Sequence, residues 1–72
     1  MGPNIDKLIE KENIKKLVKA LKNKDEGIRD KAANFLEEIK DPRVVEPLIK
    51  ALKDEREFVR ENAVRILGKM KT

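Results

Sequence analysis

Residues 20–32 read ALKNKDEGIRDKA, and 31 positions later residues 51–63 read ALKDEREFVRENA. A chain that carries one phrase twice builds one supersecondary unit twice, and such units bury their apolar faces by stacking on each other. Aligning Lys16–Lys40 with Pro47–Lys71 at this offset makes ten of 25 positions identical, among them Leu17/Leu48, Ala20/Ala51, Leu21/Leu52, Arg29/Arg60, Ala32/Ala63 and Leu36/Leu67. Val18/Ile49, Ile28/Val59, Phe35/Ile66 and Ile39/Met70 exchange one apolar group for another. The shared positions are mostly those a core needs.

Within each unit the apolar spacing is helical. Ile14, Leu17, Val18 and Leu21 follow i, i+3, i+4, i+7, and so do Val45, Leu48, Ile49 and Leu52. The second half of each unit carries its own stripe: Ile28, Ala32, Phe35, Leu36 and Ile39, then Val59, Ala63, Ile66, Leu67 and Met70. Each unit is thus read as two amphipathic helices, predicted near 13–22, 24–39, 42–53 and 55–70. The breaks have helix-start chemistry. Asp54–Glu57 (DERE) and Asn23–Glu26 (NKDE) read as capping boxes. Asp41-Pro42 sets a cap before a proline at the first helical position, where the missing N–H is not needed. Connections of one to three residues force antiparallel hairpins.

Residues 4–11 (NIDKLIEK) read as a further helical stub that covers the N-terminal end of the stack, with Ile5 and Leu8 at the offset of Leu36 and Ile39. The alternative is one continuous helix over 5–22, which conflicts with polar Glu12 and Asn13 in the stripe. The resulting division is a single domain over 1–72: the stub at 1–11, one repeat at 12–40 and a second at 41–72. All of it is α-helical.

Seventy-two residues lie near the lower end of what folds unaided. The chain has no Cys and no His, so thiolate metal sites, disulfides and the commonest general base are absent. Thr72 is the only hydroxyl side chain, which excludes Ser–His and Cys–His nucleophilic catalysis. No cofactor is implied. No apolar run reaches the roughly 18 residues of a membrane span and no signal peptide opens the chain, which gives a cytoplasmic expectation. Richness in Lys, Glu and Ile leans toward a thermophile.

The segment DPRVVEPLIKALKDEREFVRENAVRILGKM resembles a HEAT-like repeat, of the short type also seen in phycobilisome lyase-like proteins. The residues that carry the likeness are Asp41-Pro42, Glu46-Pro47-Leu48, the Leu-Lys-Asp turn, Val59-Arg60 before Ala63, and Leu67-Gly68. The resemblance implies an α-solenoid fragment that serves as a scaffold, and it leaves the task open. It also implies a buried polar ladder between repeats, made here by Asp54 and Arg60, with Asn23 and Arg29 as a version lacking one charge partner. The first repeat departs from the pattern, with Lys16 at the place of Pro47 and Glu37 at that of Gly68. Pro47 is expected to bend its helix near the start.

Three charged or aromatic features bear on function. Asp54, Glu55, Glu57 and Glu61 cluster at a helix start, where carboxylates favour the macrodipole, and nothing suggests a pocket that would make one of them an acid or base. The chain is read as not an enzyme. The net charge of +4 belongs to residues 1–24, with residues 25–72 balanced. Its lysines Lys11, Lys15, Lys16, Lys19 and Lys22 fit either phosphate contacts on nucleic acid or the ordinary solvated face of an amphipathic helix. Arg is absent from the first 28 residues and no aromatic interleaves these lysines.

Stacking two hairpins sets the second helices side by side, and their outward residues share one surface: Glu26, Asp30, Lys31, Asn34 and Glu38 beside Glu57, Phe58, Glu61, Asn62, Arg65 and Lys69. Five of its eight charged groups are acidic. In the resembling family this is the concave, recognition face. Phe58 there is either an anchor for a partner or a tolerated exposed ring. The reading is a protein-interaction or scaffold module binding a basic or amphipathic peptide on that face, with a nucleic-acid module using the lysines as the alternative. Two repeats are fewer than a stack normally needs, and the last helix keeps a full apolar set including Val64 and Met70. This predicts a homodimer that pairs the C-terminal ends.

Overall fold

A computed structural model describes residues 10–71. These form α1 (Lys11–Ala20), α2 (Glu26–Ile39), a 3-10 turn (Pro42–Val44), α3 (Val45–Ala51) and α4 (Glu57–Met70). The α1/α2 and α3/α4 hairpins stack with α2 against α4 and α1 against α3 and the 3-10 turn. The predicted stub falls on residues 1–9, outside those described, apart from Glu10 and Lys11. Glu10 is extended, with φ −71° and ψ 157°, so α1 begins anew at Lys11 and no single helix runs through 5–22.

The helix starts lie two residues later than the capping boxes predict, because the turn side chains act earlier. Asn23 Oδ1 accepts the N–H of Asp25 at 2.8 Å, closing an Asx turn. Asp25 is then the cap of α2, accepting from the N–H of Gly27 at 2.8 Å and of Ile28 at 3.4 Å. Asp54 likewise accepts from the N–H of Arg56 at 2.9 Å, and α4 starts after Arg56. The connections therefore run over 21–25 and 52–56 rather than one to three residues.

Asp41 does cap as read, accepting the N–H of Arg43 at 2.9 Å ahead of the Pro42 turn. The predicted 42–53 helix is in two pieces, with the 3-10 turn leading into α3 at Val45. Pro47 sits in the first turn of α3, where an N–H has no intrahelical partner to lose. Lys40, which ends α2, takes the left-handed conformation at φ 46° and turns the chain into the second hairpin.

One core joins Ile14, Val18, Leu21, Ala32, Ala33, Leu36, Val44, Leu48, Ala51, Val59, Ala63 and Ile66. Several predicted stripe members are not in it. Ile28, Phe35 and Ile49 are 44%, 45% and 47% exposed, while Val44, Ala51 and Ala33, outside the predicted stripes, are buried. The reason lies in the stacking. Each hairpin has two apolar sides, and each side is covered only where a neighbour exists. Val18, Leu21, Ala33 and Leu36 are buried in the first hairpin, yet their counterparts Ile49, Leu52, Val64 and Leu67 are exposed or half-buried. Leu48, Ala51, Val59 and Ile66 are buried in the second, yet Leu17, Ala20, Ile28 and Phe35 are exposed or half-buried. Ala32 and Ala63, inside their own hairpins, are buried in both.

Candidate functional site

Among the described residues no helix is long and apolar enough to cross a membrane, and no group of three or more carboxylates is placed to hold a metal ion. The surface features are clefts between helices. A shallow one of about 180 Å³ runs between α2 and α4, lined by Glu26, Arg29, Asp30, Phe58, Glu61 and Asn62. Five of these are residues the sequence put on the second-helix face. Phe58 is not a freely presented ring: it is half-buried, packs against the core, and has the Arg29 guanidinium 4.0 Å from its centroid. Three carboxylates, of Glu26, Asp30 and Glu61, line the same cleft.

Asn34 and Arg65 lie beside this cleft and are engaged with each other. Arg65 Nη2 donates to Asn34 Oδ1 at 2.6 Å, Arg65 Nε donates to Glu37, and Asp30 stands 3.9 Å from Arg65 Nη1. Arg65 is therefore a clasp between the hairpins, and Glu37, which the sequence reading left out of the surface, is its partner. Lys31, Glu38, Glu57 and Lys69 are exposed on the same two helices.

Arg29 and Arg60 do one job in both hairpins. Arg29 Nη1 donates to the backbone carbonyls of Asn23 at 2.8 Å and Lys24 at 3.1 Å. Arg60 Nη1 donates to those of Asp54 at 2.7 Å and Glu55 at 2.8 Å. Each arginine reaches back to satisfy carbonyls of the turn that precedes its own helix. The Asp54 carboxylate, assigned to Arg60 by the resemblance, is gripped instead by Arg56, with Nε and Nη2 each at 2.9 Å. Arg56 Nη1 also reaches the Lys22 carbonyl of the first hairpin at 3.4 Å.

These bonds hold the Asp54 carboxyl down to a pKa of about 2 and raise that of Arg56. Asp41 is clamped in the same way by Arg43, with Nη2 at 2.6 Å, and its pKa is lowered despite burial. The two Asp-x-Arg clamps were missed in the sequence, although the spacing occurs twice there.

The lysines divide. Lys11 and Lys15 line one cleft with Arg43, Glu46 and Lys50, while Lys16, Lys19 and Lys22 line another with Asn23 and Arg56. Lys15 also stands 3.9 Å from Glu12. All five are exposed.

Two antiparallel hairpins thus stack on each other, with an arginine in each bracing its turn. The family model for HEAT repeats matches residues 5–72. A search of curated proteins gave no match. With nearly its whole length matched by that model, the chain belongs to the HEAT-repeat family.

Proposed function

We propose that the chain is a non-enzymatic interaction module that binds a basic or amphipathic peptide across α2 and α4. HEAT repeats commonly mediate protein–protein contacts and scaffolding and are generally non-enzymatic. The observation that carries the finer reading is the cleft that Glu26, Asp30 and Glu61 line together with half-buried Phe58 and the Arg29 that covers its ring. Carboxylates at the rim steer a cationic partner, and the ring offers an apolar contact already desolvated on one side. The C-terminal end of the stack, where Val64 is exposed, is a second candidate contact surface, and pairing of two such ends would give the homodimer read from the sequence.

The test is anisotropy of a fluorescein-labelled Lys/Leu amphipathic peptide. A face so shallow should bind in the micromolar range, on the order of 10 μM, with affinity falling as salt rises. Glu26→Lys with Glu61→Lys should weaken binding at least about tenfold, or 1.4 kcal/mol. The melting temperature should fall only slightly, since both residues are exposed and Glu26 gives up only a favourable charge near a helix start. Unchanged peptide binding by the double variant refutes the reading. Tighter binding of a short DNA duplex, lost on reversing Lys16, Lys19 and Lys22, would replace it with the nucleic-acid reading.

A further inference from the structure

The hairpin–hairpin contact inside this chain has an unused duplicate. Its two halves are Val18, Leu21, Ala33 and Leu36 on the first hairpin, and Leu48, Ala51, Val59 and Ile66 on the second. Moving the first set forward by the repeat offset gives Ile49, Leu52, Val64 and Leu67 on the outer side of the second hairpin. Moving the second set back gives Leu17, Ala20, Ile28 and Phe35 on the outer side of the first. All eight are apolar and none is fully buried: Val64 is 61% exposed, Ile49 47%, Phe35 45% and Ile28 44%, while Leu17, Ala20, Leu52 and Leu67 are half-buried against the core of their own chain. A shallow hollow of about 280 Å³ opens at Leu52, Val64, Leu67 and Gly68 on the outer face of the second hairpin.

We propose that copies of this chain stack head to tail, the outer face of one second hairpin docking on the outer face of the next first hairpin. The occupant is a second copy because it presents the counterpart of the surface that already fits this one within the chain. If the 4–11 segment takes the first-hairpin face instead, as read from the sequence, the parent stays monomeric and the proposal falls. This goes beyond the peptide-binding reading and does not depend on it. It also differs from a dimer of two C-terminal ends, which would set one outer face against itself. A head-to-tail contact leaves one free face of each kind at the ends, so it does not close, and growth is open-ended.

The contact is weaker than its intramolecular model, for a reason visible in the polar rim. Within the chain Arg65 clasps Glu37 and Asn34. At the duplicate contact Asn34 and Arg65 exchange places and Gly68 stands at that of Glu37, so the carboxylate partner of the arginine is missing. The apolar set is repeated and the clasp is not. Self-association is therefore expected at high concentration, in roughly the 0.1–1 mM range.

Sedimentation of the full chain and two blocked variants tests this. Val64→Glu blocks the second-hairpin face and Phe35→Glu the first-hairpin face. Both positions are exposed, and circular dichroism melting checks that each variant folds. Ile49→Lys and Ile28→Lys serve as a replacement pair if either fails. The parent should gain mass with concentration without levelling at two copies. Each variant alone should stay monomeric. Mixed in equal amounts they should form a dimer and stop there, because one intact face of each kind remains. The proposal is overturned if the Phe35→Glu chain still dimerises by itself, which assigns the contact to two C-terminal ends. It is overturned equally if the mixture stays monomeric while the parent associates, or if the parent is monomeric throughout.

Discussion

The two hairpins share a sequence pattern and differ in what holds them. The second carries two Asp-x-Arg clamps, Asp41–Arg43 before α3 and Asp54–Arg56 before α4. At the corresponding places the first has Glu10 with Glu12, and Asn23 with Asp25. Asn23 keeps the turn hydrogen bond to the residue two positions on, but Asp25 offers no guanidinium in return. The first hairpin instead receives its partners from the second: Arg65 binds Glu37 and Asn34, and Arg56 reaches the Lys22 carbonyl. Arg29 and Phe58 bridge the pair in the other direction. A repeat can thus keep its apolar pattern while its polar contacts specialise, because packing tolerates only certain volumes and surface bonds tolerate many solutions.

The largest expected effect separates the two leucines at matched positions. Leu36 is fully buried, and Leu67 is half-buried on the outer face of the second hairpin. Leu36→Ala should cost about 2–5 kcal/mol, against a total stability of roughly 5 kcal/mol for so small a core. Leu67→Ala should cost less than about half as much in dilute solution. Equal losses in thermal or urea unfolding would break the comparison, because they would mean that both sides of the stack are covered.

Next comes the clasp. Arg65→Ala removes bonds to two residues of the other hairpin from a side chain that is 41% exposed. Charged hydrogen bonds weakened by solvent suggest a loss of about 1 kcal/mol. Asn34→Ala should cost less, since Glu37 would keep its bond to Arg65. A larger loss from Asn34→Ala in urea titrations would shift the weight of the clasp to that residue.

Smaller still is Gly68, which lies inside α4 where Glu37 stands in the first hairpin. A methyl group there would meet nothing within 4 Å. Gly68→Ala should raise stability by about 0.5–1 kcal/mol through helix propensity. A melting temperature that falls instead would show that the second hairpin needs glycine for close approach of another surface.

The acid response of the clamps is the smallest effect, because their arginines meet solvent, which screens each pair. Asp54 titrates at about 2 in the fold and near 3.9 when unfolded. A carboxylate whose folded pKa is depressed contributes stability that is complete above about pH 4, and it is lost as pH falls through about 2. Asp41 is shifted in the same direction. Melting temperatures followed from about pH 5 to pH 2 should fall more for the parent than for Arg56→Ala. Parallel curves would mean that the Arg56 clamp adds nothing to the second hairpin.

The four helices and their order were legible because their causes are local. Apolar residues at helical spacing, Asp41-Pro42 and the turn residues act within a few positions of themselves. The turn chemistry was only half legible: Asn23 and Asp54 were recognised as turn-formers, but their reach to the N–H two residues on moves the helix starts to Glu26 and Glu57. On the second-helix face, Glu26, Asp30, Phe58, Glu61 and Asn62 do share a cleft. The partners of Arg65 and the Arg29 cover on Phe58 were beyond reach, since they join side chains about 30 positions apart.

By itself, the sequence determined that this chain makes two like hairpins and which positions in each are apolar. It could not determine which copy of an apolar position is covered. Ala33 and Val64, or Val59 and Ile28, are equivalent in the repeat, and only stacking makes the first of each pair interior and leaves the second in water. A repeat pattern is the same at every step along the chain, whereas the two sides of each hairpin meet different neighbours. Burial depends on the neighbour that the tertiary structure supplies, so the same spacing gives a core on one side and an open apolar face on the other.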